Sequence, residues 1–458
     1  MNFGDESIVT TDLKHLKQGG IFVDISEGKN KSGIYKAYEK GAALIFTTKC
    51  IIDSSLPVIR VKDSSEALLR LLDTYNKKLS EQVRLIAVGG NSQKEVIADM
   101  IDSMLFSKVK AQYSFHRIVE KSTDESRITE QIYLLMKQML NLGYDKITLP
   151  IDLTSSYKNI ISRFSIDFGI LAGFECIDII GKSKHDLSFV TEMLLKVPEN
   201  KPVLINTDDP IAVDFAGRNK KAMFISYGLG KKTAVTATSI NIDDSMEFNY
   251  CLQRTMVSNK GVKLEPFEMP IKLGLSGEEN LYNALAAITC ALYYDIDIDF
   301  IKKVLAGYSG MRRRFQTIHK GDYTIIDNFC SLPSDFDSVF RNTQMMNYNR
   351  LHPIISFDKC IDIKAVEKSM GIIVEWGRIM NFKEIIYINN QSNKSSGILR
   401  KVKKCLEDGG LKYYISSSFH DAMNLLSGRL SLNDLILVLG GDEIEPSLAY
   451  LNQIRTVN

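Results

Sequence analysis

The chain has 458 residues, of which 45% are hydrophobic and 24% are charged. This composition is typical of a soluble globular protein and excludes a disordered, collagen-like or membrane-spanning chain. The 57 basic residues nearly balance the 55 acidic residues, so the formal charge of +2 predicts no overall attraction to nucleic acid or to an anionic membrane.

The first part of the chain alternates short apolar runs with amphipathic segments. Residues 19–25 and 43–48 predict strands, and residues 32–42 between them predict a helix. Residues 64–82 predict a longer helix with a serine at its N-terminal cap. We therefore expect an N-terminal α/β domain over residues 1–82.

The remaining residues continue the same alternation, which is typical of βαβ units and indicates the α/β class with largely parallel sheets. At roughly 100–200 residues per domain, the length favours about three domains. The sequence predicts a central domain over residues 83–266 and a C-terminal domain over residues 267–458. The predicted elements are strands at 84–90, 145–151, 167–173, 201–207 and 222–228, a helix at 281–294, and strands at 322–329, 384–390 and 434–441.

The cysteines and the N-terminus bear on location. The seven cysteines are scattered and form no CxxC pair, so they predict reduced thiols rather than disulfides or a zinc site. The N-terminus lacks the apolar core of a signal peptide, and no stretch approaches about 20 uncharged apolar residues. We expect a cytoplasmic protein.

Residues 86–101 predict a strand, a glycine-containing turn and a helix, the arrangement in which backbone N–H groups and a helix N-terminus hold phosphate. The P-loop pattern requires a glycine before its lysine and a hydroxyl after it. Here Gln93 precedes Lys94 and Glu95 follows it. From the residues alone, a phosphate site and an ordinary strand–turn–helix corner both remain open.

Residues 90–96 resemble the G-T-N-G-K-[ST]-[ST] loop of the Mur ligase family. Five further segments resemble motifs of that family in the same order, at residues 9–46, 206–210, 275–292, 310–318 and 325–336. The resemblance implies a three-domain architecture in which a central P-loop-type, largely parallel sheet carries helices on both faces. It also implies a Rossmann-like C-terminal domain.

The activity implied by the resemblance is ATP-dependent ligation of a carboxylate to an amine through an acyl phosphate. ATP and Mg²⁺ would be the cofactors, and a UDP-muramoyl-peptide or another carboxylate would react with an amino acid. The resemblance assigns Lys94 and Asp152 as catalytic, with Asp152 also as the metal ligand. It assigns nucleotide binding to Gly90, Asn91, Ser92, Lys94, Asn280, Asn283, Arg314 and Asp327.

Several family residues are absent from the matching positions. The loop glycine and hydroxyl are replaced, the stretch at 171–181 has no metal-site histidine, and residues 190–192 include no lysine for carbamylation. An alternative is therefore a catalytically inactive Mur-ligase-like protein that binds a precursor or a partner protein, or an inactive subunit of a larger complex. In that case Gln93 and Glu95 would serve as helix-start residues, the asparagines as packing residues and Arg314 as part of a solvated turn.

Overall fold

The computed structural model describes residues 7–26, 28, 30–90, 93–110, 124–151, 159–173, 197–218, 222–230, 232–242, 245–275, 277–330, 333–344, 346–357, 363–389, 396–441 and 444. Their backbone forms a four-stranded, an eight-stranded and a six-stranded sheet, together with a two-stranded ribbon. The three large sheets follow one another along the chain. The predicted three-domain α/β architecture is therefore confirmed.

The N-terminal domain is a parallel sheet of order β1-β2-β3-β4. Its elements are β1 (Ser7–Thr10), β2 (Leu16–Asp24), α1 (Ser32–Glu39), β3 (Leu44–Thr47), β4 (Val58–Arg60), α2 (Ser64–Tyr75) and α3 (Lys77–Gln82). The cap of α2 is Asp63 rather than the expected serine, because its carboxylate accepts hydrogen bonds from the backbone of Ser65 and Glu66. The predicted helix over 64–82 is divided at Asn76, whose side chain donates to the Leu72 carbonyl.

The central sheet has the order β14-β11-β10-β9-β8-β7-β5-β6 and is parallel from β10 to β6. Its strands are β5 (Arg84–Gly89), β6 (Lys146–Ile151), β7 (Ile166–Leu171), β8 (Pro202–Asn206), β9 (Met223–Tyr227), β10 (Val235–Ile242), β11 (Met246–Leu252) and β14 (Phe267–Leu273), with β12 (Met256–Val257) and β13 (Lys263–Leu264) as the ribbon. Its helices are α4 (Lys94–Leu105), α5 (Glu125–Asn141), α6 (Pro210–Arg218), α7 (Glu278–Tyr293) and α8 (Ile298–Ala306).

Helices cover both faces of this sheet, as the resemblance implies. Alternate residues of β5 enter two different cores: Ile86 and Val88 pack with α4, α7 and α8, whereas Leu85 and Ala87 pack on the α5 side. A strand that is buried on both faces must be apolar along its whole length. The run in β5 meets this requirement and carries the following turn to the carboxyl edge of the sheet.

The C-terminal sheet has the order β15-β16-β20-β17-β18-β19, and it is parallel except at the β15 edge. Its elements are β15 (Gln316–Lys320), β16 (Tyr323–Phe329), α9 (Pro333–Gln344), β17 (Leu351–Ile355), α10 (Ile363–Ile379), β18 (Ile385–Ile388), α11 (Ser396–Asp408), β19 (Tyr413–Ser416), α12 (Phe419–Ser427) and β20 (Asp434–Gly440). The parallel strands with helices on both faces form the expected Rossmann-like unit.

The start of the third domain expected at residue 267 falls on the first residue of β14, a strand of the central sheet. Helix α7 then packs on α4, and α8 packs on β14 and α4. The six-stranded sheet begins only at Gln316. We therefore place the boundary in residues 307–315. Within the described residues, no helix is both long enough and apolar enough to cross a membrane.

Candidate functional site

The turn after β5 requires a glycine at residue 90. Gly90 has φ = +149°, and a Cβ placed there would lie 3.0 Å from the Ala172 Cβ and 3.1 Å from the Gly173 carbonyl oxygen. Another residue at this position would be strained and would clash with the strand end beside it. The turn is followed by α4, whose N-terminus points towards α7 and the C-terminal domain.

Lys94 and Glu95 are the first two residues of α4. Lys94 is buried, and its Nζ lies 3.9 Å from Glu95 Oε1. The other carboxylate oxygen of Glu95 accepts a hydrogen bond from Nη2 of Arg314. Glu95 thus does not extend into solvent: it forms an ion pair with a residue of the C-terminal side, and its negative charge also suits the positive end of the helix dipole.

Gln93 makes a second connection from the same turn. Its side-chain amide donates to Glu279 of α7, while its carbonyl oxygen accepts a hydrogen bond of 2.8 Å from Asn283. Asn283 is buried and also lies 3.4 Å from the Asn280 side-chain oxygen. The two asparagines therefore share one face of α7, as their spacing predicts, but the amide of Asn283 is engaged with Gln93 and Asn280.

Glu279 joins α7 to the C-terminal domain. Its carboxylate accepts a hydrogen bond of 2.6 Å from the Ser338 hydroxyl and one of 3.4 Å from the Asn342 amide, and both donors lie on α9. These groups line a polar cleft. Its lining includes Gln93, Glu279, Asn280, Arg314, Asn328, Asp335, Ser338 and Asn342.

Asp327 lies deeper in the C-terminal domain and pairs with Arg313 rather than Arg314. Arg313 Nε lies 3.3 Å from the Asp327 carboxylate, and Arg313 Nη2 donates to the Gly440 carbonyl over 2.9 Å. Burial raises the pKa of Asp327 to about 6, although the Arg313 charge opposes this shift. The guanidinium carbons of Arg313 and Arg314 lie 5.5 and 5.3 Å from the centre of the Phe329 ring.

The structure therefore brings Lys94, Asn280, Asn283 and Arg314 into one interdomain network around the turn that begins at Gly90. Asp327 lies beside this network, since its partner Arg313 stacks with Arg314 on the Phe329 ring. Three expected site residues, Asn91, Ser92 and Asp152, lie outside the described residues. Groups of three or more His, Cys, Asp or Glu side chains that could hold a metal ion do not occur in the described part of the chain.

Comparison with known proteins identifies the central domain. Residues 94–291 match the family model described as the Mur ligase middle domain. The match begins at Lys94 and continues through α7, which agrees with the packing of α7 on α4. Over these residues the chain is similar to the Mur ligase family.

Relatives with established names extend the similarity to nearly the whole chain. The UDP-N-acetylmuramoyl-L-alanyl-D-glutamate–2,6-diaminopimelate ligase of Bacillus velezensis is 23% identical over 458 residues, which cover 95% of this chain and 89% of the relative. The ligase of the same name from Bacillus licheniformis is 23% identical over 372 residues and covers 77% of this chain. The latter alignment covers 73% of the relative.

Solved Mur ligase structures share the fold. A MurF ligase from Thermotoga maritima in complex with ADP gives a TM-score of 0.68 at 14% identity, covering 100% of this chain and 98% of that one. The UDP-N-acetylmuramoylalanyl-D-glutamyl-2,6-diaminopimelate–D-alanyl-D-alanyl ligase from Acinetobacter baumannii gives a TM-score of 0.68 at 15% identity, covering 98% of this chain and 93% of that one. At this identity the comparison supports the architecture, not the substrate.

Sequence reasoning missed part of this interdomain network. Ser338 and Asn342 carried no signal in the sequence, because their importance depends on how α9 faces the central domain. Arg313 lies within the family-like segment 310–318, but its pairing with Asp327 could not be read from that segment. Glu279 did carry a signal, since it stands where the family motif has a histidine. Gln93 and Glu95 were recognised as departures from the motif, but their partners in other domains could not be read from the sequence.

Proposed function

We propose that this protein is a member of the Mur ligase family and an ATP-dependent carboxylate–amine ligase whose carboxylate substrate is a UDP-muramoyl peptide or a similar precursor. The observation that carries the proposal is buried Lys94, which follows the Gly90 turn at the carboxyl edge of β5 and is the first residue of the matched Mur ligase middle domain. Relatives aligned over nearly the whole chain are named as ligases of a muramoyl peptide and an amino acid. These names support a carboxylate and an amine as the substrate pair.

The arrangement of side chains does not fit Mg-ATP as it stands. A triphosphate at the N-terminus of α4 would meet the carboxylate of Glu95, and unlike a hydroxyl this group repels phosphate. Two like charges about 4 Å apart repel by roughly 4 kcal/mol at an effective dielectric constant of about 20. Arg314, which the resemblance assigns to ATP, already pairs with Glu95. Catalysis would therefore require these contacts to open first.

A second candidate function is a catalytically inactive Mur-ligase-like protein that binds a precursor or a partner protein. The observation that favours it is the same Glu95–Arg314 ion pair, together with the engagement of Asn283 by Gln93. Such contacts hold the two domains together through the protein's own side chains. A binding protein needs this shape and does not need phosphoryl transfer.

The experiment that tests the ligase proposal is thermal unfolding of the full chain with and without millimolar Mg-ATP, followed by an assay of ADP release with candidate carboxylates and amino acids. A ligand that binds only the folded state raises stability by RT ln(1 + [L]/Kd). We expect a shift that is lost in Lys94→Ala. A folded protein with no shift and no ADP release would reject the ligase and favour the binding protein.

A matched control is Lys201→Ala. Lys201 is also a lysine in an ion pair, at 2.9 Å from Asp167 Oδ1, but it precedes β8 and so lies at the opposite edge of the central sheet. This variant should lower the melting temperature and leave the shift caused by Mg-ATP unchanged. Loss of the shift in both variants would show that it reports general stability rather than binding at Lys94.

A further inference from the structure

Polar contacts join the central domain to the C-terminal domain at the place where a nucleotide would lie. The first contact is the Glu95–Arg314 ion pair. The second is a chain of hydrogen bonds from Gln93 to Glu279 and from Glu279 to Ser338 of α9. The side chains of Arg314 and Glu95 are 15% and 22% exposed, so solvent screens this pair only in part. We call the whole set the interdomain clasp, which consists of Gln93, Glu95, Glu279, Arg314, Ser338 and Asn342.

Arg314 is held by the C-terminal domain even though it precedes β15. The backbone N–H of Phe329 donates to the Arg313 carbonyl over 2.7 Å, and that of Phe315 donates to Asn328 Oδ1 over 2.6 Å. These bonds fix the residues on either side of Arg314 to the end of β16. The guanidinium therefore moves with the C-terminal domain, whereas Glu95 moves with the central domain.

The segment that connects the two domains is short, and three of its residues have positive φ angles. Residues 307–315 contain Gly310 at φ = +89°, Arg313 at φ = +57° and Phe315 at φ = +49°. Left-handed backbone is uncommon for residues other than glycine, and for a bulky residue such as Phe it persists only when the surrounding contacts hold it. The segment thus combines a glycine able to absorb rotation with two residues whose geometry is held by contacts to β16.

We propose that Glu95 is an internal anion which holds Arg314 and thereby closes the C-terminal domain on the central domain without any nucleotide. A carboxylate and a phosphate both offer charged acceptor oxygens to a guanidinium, so Glu95 supplies for Arg314 what a nucleotide phosphate would supply. The closure follows from the described contacts. Its meaning as autoinhibition, in which a nucleotide must displace Glu95 before it binds, rests on the proposed ligase function.

A charge swap in the full chain, without nucleotide, tests the clasp. Glu95→Arg places two guanidinium groups together and should open the domains, whereas Glu95→Arg combined with Arg314→Glu should restore the attraction. The readouts are the radius of gyration from small-angle X-ray scattering and the rate of tryptic cleavage after Arg312, which is exposed in the connecting segment. We expect a larger radius and roughly fivefold or faster cleavage in the single variant. The double variant should return close to the parent in both.

The matched control is the same swap at Glu66 and Arg70, an exposed ion pair of 2.5 Å within α2, which should change neither readout. Glu95→Ala, which introduces no new charge, is measured alongside in case Glu95→Arg does not fold. The proposal is overturned if folded Glu95→Ala and Glu95→Arg both keep the parent radius and cleavage rate, or if the double variant fails to reverse the change. Because no substrate is present, these results are independent of whether the chain proves to be a ligase.

Discussion

Arg314 reaches across the domain boundary to the carboxylate of Glu95, the residue that follows Lys94. The contact joins an acidic residue at the turn that the sequence predicts as a phosphate site to an arginine that the resemblance assigns to nucleotide binding. The positive charges of Lys94, beside the clasp, and of Arg314, within it, are opposed by the negative charges of Glu95 and Glu279. The site is therefore less attractive to a triphosphate than its basic residues alone would suggest.

Nucleotide affinity should rise when the turn is given the residues of the family pattern. Gln93→Gly with Glu95→Thr removes a carboxylate, releases Arg314 and supplies a hydroxyl at the position that the pattern uses for Mg²⁺. We expect the variant to bind Mg-ATP at least about tenfold more tightly than the parent, a gain of roughly 1.4 kcal/mol. Isothermal titration calorimetry measures the change directly.

Glu66→Thr is the control for this variant, because Glu66 also lies in the first turn of a helix but is exposed and far from the site. Its Mg-ATP affinity should equal that of the parent. Unchanged or weaker binding in the folded double variant would show that the departures at residues 93 and 95 do not limit nucleotide binding.

The Gly90 turn should not tolerate a side chain. Gly90→Ala forces a Cβ to 3.0 Å from the Ala172 Cβ at a φ of +149°, and backbone strain and overpacking together cost about 3 kcal/mol. Chemical denaturation should show this loss. Gly371→Ala, at an exposed helical position of α10 where a Cβ would meet nothing within 4 Å, should instead be neutral or slightly stabilising. Equal effects at the two positions would contradict this account of the turn.

The sequence predicted the sheets of this protein well because the apolar runs are local signals. The run in β5 is buried on both faces, and its pattern alone identifies a central strand. The sequence did not predict the boundary between the second and third domains, which we expected at residue 267. Strand β14 belongs to the central sheet because it pairs with β11 in antiparallel register, and such long-range pairing leaves no mark in the strand's own residues.

The candidate site likewise contains residues that the sequence predicts and partners that it does not predict. Gly90, Lys94, Asn280 and Asn283 could be assigned because they lie within contiguous motifs. The partners of these residues could not be assigned, because the contacts of Arg314 and Ser338 depend on the orientation of a separate domain. Hydrogen bonds between domains follow from three-dimensional packing, and a single sequence does not encode their partners in any local pattern.

Glu130 should prove important for docking the N-terminal domain. Its buried carboxylate on α5 accepts hydrogen bonds of 2.6 Å from the hydroxyls of Thr10 and Thr11, at the end of β1. It also accepts one of 2.9 Å from the backbone N–H of Thr11. Replacing this acceptor by an amide in Glu130→Gln turns one oxygen into a donor, and we expect a loss of about 1–3 kcal/mol. Denaturant unfolding gives the value.

Glu407→Gln is the control for Glu130→Gln. Glu407 accepts one hydrogen bond of 2.8 Å from Tyr413 at an exposed site, and the effect of its substitution on the free energy of unfolding should stay within about 0.5 kcal/mol.

Because of Asp102, we expect the free energy of unfolding to fall as the pH rises towards 7. It lies on α4 beside a small cavity, it is buried, and its Oδ1 has no hydrogen-bond partner among the residues that the structure describes. Burial, helped by the charge of the neighbouring Asp99, raises the pKa of this carboxyl to about 7, although the Thr148 hydroxyl and Lys110 oppose the shift. In the unfolded chain the pKa returns to about 3.9. Between these two values the folded protein holds a proton that the unfolded chain has released.

The contribution of Asp102 to stability should therefore be complete below pH 4, fall as the pH rises towards 7, and be fully lost above that value. Asp102→Asn keeps the shape and cannot ionise, so its stability relative to the parent should increase by about 3 kcal/mol from pH 5 to pH 8. Taking the difference from the parent at each pH cancels the contribution of Asp327, which has the same sign.

Asp53→Asn is the control for this profile. Hydrogen bonds from Ser55 hold the pKa of this exposed carboxyl below its usual range, so Asp53 is ionised in both the folded and the unfolded chain between pH 5 and pH 8. Its difference from the parent should be constant over that range. A constant difference for Asp102→Asn as well would mean that Asp102 is charged in the folded protein at pH 5, and that its charge is balanced by Lys110 rather than removed by protonation.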